Sequence, residues 1–137
     1  MLNLISTNLV AILASTLSAI VVAGIWYSPA VFGNLWQKEA GIKKKDIRAS
    51  FARKSVIALV MIFVTAVVLQ RFLIITNPSS VFEAIKVAVW IWAGFVATYV
   101  IAGGVFEKVS ARLMIIDLSG QILILSTMSA VLYILAS

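Results

Sequence analysis

Seven of the eleven basic residues of this chain stand in one stretch, Ser28 to Lys54, and long apolar runs flank it on both sides. The seven are Lys38, Lys43, Lys44, Lys45, Arg48, Arg53 and Lys54. Over 137 residues the chain is 63% hydrophobic and only 12% charged, against about a quarter charged in soluble domains. That leaves too little polar surface to cover a globule in water, so lipid is the expected solvent. A net charge of +6 would suit nucleic acid, but the basic residues sit at the ends of apolar spans, where cytoplasmic loops carry them. No nucleic-acid partner is expected; the bilayer is.

A hydrocarbon core of about 30 Å needs roughly 20 apolar residues in a helix. Four segments qualify, at about 4–27, 56–75, 87–106 and 113–135. The expected fold is all-α: a four-transmembrane-helix bundle forming one integral membrane domain over 1–137. The first segment is not read as a cleaved signal, because it lacks a basic start and ends in Trp26-Tyr27 rather than small residues. Both prolines, Pro29 and Pro78, lie outside the spans, so no broken helix is expected.

After the first span comes Trp26-Tyr27-Ser28-Pro29, aromatic residues at headgroup level followed by a serine cap and a proline suited to a first helical position. Val31, Phe32, Leu35 and Trp36 then recur at helical spacing. A short amphipathic interfacial helix is therefore expected at about 29–40, between the first and second spans. Lys43, Lys44 and Lys45 follow, a topology determinant first and an anionic-lipid contact second. Asp46 is a plausible cap for the next helix. Ser80-Val81-Phe82-Glu83 is a capping-box pattern opening the third. Trp90 and Trp92 are expected in the outer interface.

Nine Lys and Arg fall in the first-to-second and third-to-fourth connections; only Arg71 and Lys86 fall elsewhere. The positive-inside rule then puts both termini outside and the basic loops in the cytoplasm, as in a multi-pass protein of the inner membrane.

Two lines of small residues recur every four positions. Ala11, Ser15, Ala19 and Ala23 form one on the first helix; Gly94, Thr98 and Ala102 form another on the third. Such stripes let helix backbones approach closely, either within the bundle or against a second copy in a homo-oligomer.

With no cysteine and no histidine, disulfides, thiolate chemistry and the commonest neutral-pH acid-base group are absent. No metal site assembles at the usual spacing and no phosphate loop is present, so neither a cofactor nor an enzyme is expected. Asp117 is the one ionisable group well inside a span, some 6–7 Å past its start at 1.5 Å per residue, with Gln121 one turn on. It is either a structural ion pair with Arg53, Lys54, Lys108 or Arg112, or a proton or ion site. Thr98 and Tyr99 are further candidate lining residues.

Gly24 to Trp36, which reads Gly-Ile-Trp-Tyr-Ser-Pro-Ala-Val-Phe-Gly-Asn-Leu-Trp, resembles the signature of the bacterial membrane family catalogued as domain of unknown function 1761. Trp90 to Thr98 resembles its second motif, and Asp117 to Gln121 sits where that family tends to carry a polar pair in the last helix. The family more often has an amide at the first of these, so Asp117 is a departure. The resemblance covers nearly the whole chain and implies a small four-helix inner-membrane protein, with no activity to carry over.

Two functions follow. The first is a non-enzymatic protein acting by helix-helix assembly, or as an accessory subunit. The second is a minimal oligomeric transporter or channel using Asp117.

Overall fold

A computed structural model describes residues 8–136. It contains five helices and, among the described residues, no strand. They are α1 (Leu9–Trp26), α2 (Gly33–Ala40), α3 (Lys44–Thr76), α4 (Val81–Phe106) and α5 (Ala111–Ala136). All but α2 are long and apolar enough to cross a membrane, and the short α2 sits where an interfacial helix was expected. Residues 4–7, the expected opening of the first span, lie outside the described residues.

The last helix is the axis of the bundle. α1 packs along one side of α5, α4 along another, and α3 lies mainly on α1. Hydrocarbon offers no hydrophobic force between helices, so close packing and interhelical hydrogen bonds must join them. The stripe of small residues on α1 does this within the chain. Ala11, Ser15 and Ala19 are fully buried, and the Ser15 hydroxyl donates to the Met128 carbonyl at 3.2 Å. Ser129 on α5 donates to the Ala84 carbonyl at 2.6 Å, fastening α4.

Three boundaries differ from expectation. First, α2 begins at Gly33, four residues after Pro29. The Ser28 hydroxyl does not cap it but turns back to the Ile25 carbonyl at 2.7 Å. The Gly33 amide instead donates to the Ser28 carbonyl at 2.8 Å, and the Phe32 amide to Trp26 at 3.1 Å. The chain thus reverses tightly, and a Cβ on Gly33 would collide with the Tyr27 and Ser28 backbone; only glycine fits this approach. Second, α3 starts at Lys44, so Asp46 lies in its first turn rather than at the cap. There its charge still favours the helix dipole. At 33 residues and about 1.5 Å each, α3 is about 50 Å long, so its basic first turns extend beyond a membrane core.

Third, α4 carries a π-helical turn from Trp92 to Ala97. Its inward line runs Ala84, Ala88, Trp92 and then, after a five-residue step, Ala97 and Gly104. The extra residue rotates the rest of the helix by about 100°. Gly94, Thr98 and Ala102 consequently face outward and are exposed. Trp92 is not an outer-interface residue either. Its indole N–H donates to the Leu118 carbonyl at 3.0 Å, because in a dry interior it needs an acceptor. Trp90 alone faces out, 77% exposed.

At the end away from the basic loops, Asn77 closes α3 in the left-handed conformation. Ser80 caps α4 by accepting from the Glu83 amide at 3.2 Å. Glu83 pairs with Lys86 at 2.7 Å, not with Arg71.

Candidate functional site at Asp117

The reversal at Ser28–Gly33 has a consequence 81 to 90 residues away in the chain. It brings Trp36 back beside Tyr27, the rings 5.7 Å apart and edge to face. Both polar edges then meet on one carboxylate oxygen of α5. The Tyr27 hydroxyl donates to Asp117 Oδ1 at 2.7 Å, and the Trp36 indole N–H donates to the same oxygen at 3.1 Å.

Trp26 supports this pair from behind. Its indole N–H donates to the Ile116 carbonyl at 3.0 Å, and its ring packs on Phe32 at 4.6 Å. Gly120 makes room for it: a Cβ there would stand 2.8 Å from two indole atoms. α2 is pinned to the start of α5 as well. Ser110 donates to Glu39 Oε2 at 2.8 Å while accepting from the Leu113 amide at 3.1 Å. Arg112 approaches Glu39 at 3.9 Å.

No lysine or arginine pairs with Asp117 among the described residues. The ion pair with Arg53, Lys54, Lys108 or Arg112 does not form, because the aromatic pair occupies the near side and Arg112 turns to Glu39. No donor among the described residues reaches Oδ2. The acid is thus fixed by two neutral donors through one oxygen and makes no ion pair, the nearest cation of its cavity being Lys54 across the space. This holds an uncommon state for a carboxylate at membrane depth, where charges are normally paired.

Two cavities meet at Asp117. The larger, of about 650 Å³, is walled by Phe51 and Ala58 of α3, Val96 and Val100 of α4, and Tyr27 and Trp36. Lys54, Ser55 and Gln121 also line it. It exists because α3 stands away from α4 at this end: every residue from Phe51 to Met61 is exposed. The smaller, of about 290 Å³, lies on the other side of Val100 and includes Tyr99, Glu107 and Met114.

Of the expected polar site, Asp117 and Gln121 share the larger cavity, and Tyr99 joins Asp117 in the smaller. Thr98 joins neither; its hydroxyl returns to the Gly94 carbonyl at 2.8 Å on the outward face. Lys43, Lys44 and Lys45 are exposed at the start of α3. Sequence reasoning missed Tyr27 and Trp36 as partners of the acid. The signal was in the motif itself, whose two donor-bearing rings flank a serine, a proline and a glycine able to fold the chain back. The described residues contain no cluster of three metal-ligating side chains.

No curated protein and no solved structure matches the chain. A family model described as "Protein of unknown function (DUF1761)" matches residues 10–133. That match takes in the aromatic reversal, the π turn and Asp117 together, and the chain belongs to this family.

Proposed function

We propose that the protein is a non-enzymatic, multi-pass protein of the inner membrane that binds a small ligand at Asp117, as a subunit of a minimal transporter. Its basic loops face the cytoplasm, with Lys43, Lys44 and Lys45 against anionic headgroups. The observation that carries the reading is the carboxylate held by Tyr27 and Trp36 with no ion pair, its second oxygen open at the meeting of two cavities. A half-buried acid that makes no ion pair is incomplete, and the ligand completes it. One chain of four helices encloses no path, so two or more copies would be needed.

The outward line Gly94, Thr98 and Ala102 supports action by assembly as well, since small exposed residues on a membrane helix suit a second helix. The stripe on α1 no longer supports it, because α5 already covers Ala11, Ser15 and Ala19.

The test is native mass spectrometry of the protein released from detergent. The wild type should retain a non-protein molecule that Asp117→Asn loses, while abundance and helix content stay unchanged. A wild type that carries nothing, a molecule retained equally by both, or a variant that fails to accumulate would each contradict the reading.

A further inference from the structure

The larger cavity carries two opposite charges, and that pairing narrows what fits it. Asp117 stands at the inner wall with Oδ2 open, and Gln121 is one turn along the same helix. Lys54 and Ser55 stand across from them on α3. The rest of the wall is apolar, from Ile42, Ile47, Phe51, Ala58, Val96 and Val100. Beyond it, Val56, Val60 and Met61 extend the exposed apolar face of α3 along the bundle.

Each simple ligand class leaves one of these charges badly placed. An organic cation would satisfy Asp117 and be repelled by Lys54. A fatty acid or an anionic lipid would satisfy Lys54 and bring negative charge against Asp117. A molecule with an ammonium and a phosphate a few bonds apart satisfies both, and apolar chains suit the wall and the face beyond it. We infer that the cavity takes the headgroup of a phospholipid bearing a primary ammonium, drawn from the leaflet on the basic side. The ammonium donates to Asp117 Oδ2 and the Gln121 side-chain oxygen. The phosphate accepts from Lys54 and the Ser55 hydroxyl, as charge-assisted bonds favour. A quaternary ammonium has no N–H to give Oδ2, so a choline headgroup should bind less well. About 650 Å³ accommodates a headgroup and glycerol, within the usual 300–1,000 Å³ of ligand sites.

This inference rests on Asp117 being a ligand site, and one experiment separates the two. The detergent-solubilised protein is titrated with brominated-chain phosphatidylethanolamine, phosphatidylcholine or phosphatidylglycerol, and quenching of tryptophan fluorescence is read. Trp36, in the cavity wall, supplies the headgroup-dependent part of the signal, over a background from the exposed Trp90 that is common to all three lipids. Phosphatidylethanolamine should reach half-quenching at a mole fraction about tenfold below the other two. Asp117→Asn should abolish that preference, and Lys54→Gln, at an exposed position of α3, should weaken phosphatidylethanolamine several-fold. Equal quenching by all three lipids, or a preference untouched by both variants, overturns the inference. If equal quenching coincides with an Asp117-dependent molecule in the mass spectrum, the ligand site stands and only its assignment to an ammonium phospholipid falls.

Discussion

Gly120→Ala should be among the most destabilising single-methyl changes in this protein, although alanine is the better helix former. The new Cβ would stand 2.8 Å from both Cδ1 and Nε1 of Trp26, about 0.7 Å inside ordinary van der Waals contact. Two contacts hold the half-buried indole where it is. Phe32 packs on it at 4.6 Å, and its N–H is spent on the Ile116 carbonyl at 3.0 Å. Overpacking of this kind costs about 1–3 kcal/mol. Loss of an interhelical hydrogen bond in a membrane protein adds roughly 0.6–1.7 kcal/mol. Together they come to about 2–5 kcal/mol. Gly24→Ala is the internal control, since a Cβ there meets open space; it should lie within about 0.5 kcal/mol of wild type. The assay is reversible unfolding in mixed micelles, followed by far-ultraviolet circular dichroism. If Gly120→Ala is as stable as Gly24→Ala, Trp26 is not wedged against α5 and the support described for the site is wrong.

Gly33→Ala should loosen the reversal that returns Trp36 to Asp117, because its Cβ collides with backbone rather than with a side chain that can move. The expected readout is faster limited proteolysis between Tyr27 and Lys44, with the four long helices intact by circular dichroism; unchanged cleavage would refute it. For orientation, a C-terminal reporter active only outside the cytoplasm should be active, and one active only inside should be silent.

The four long helices were legible because membrane length and apolar content are read directly from composition along the chain. So was the Ser80 cap, a local pattern satisfied by the Glu83 amide three residues on. The stripe on α1 was legible as a stripe, and its partner, α5, emerged only from the packing. Elsewhere local rules lost to tertiary ones. Ser28 and Pro29 read as a helix start, but the carbonyls of Ile25 and Ser28 offered competing partners and moved the start to Gly33. The π turn had no proline or cap to announce it, so the four-residue period of Gly94, Thr98 and Ala102 left open which way that line faces, and the turn sets it outward. Asp117 was found as an isolated charge in an apolar run. Its partners were not, because Tyr27 and Trp36 reach it across the fold, and Trp-rich motifs near headgroups have the simpler reading of interfacial anchors.

The aromatic motif and the acid of the last helix form one unit. A double-mutant cycle on unfolding, built from Tyr27→Phe, Asp117→Leu and the two combined, measures that link directly. A coupling of about 1–2 kcal/mol is predicted, in the range of hydrogen bonds to charged groups and of interhelical bonds in membranes. Additive effects, within about 0.3 kcal/mol, would mean that the tyrosine does not hold the carboxylate.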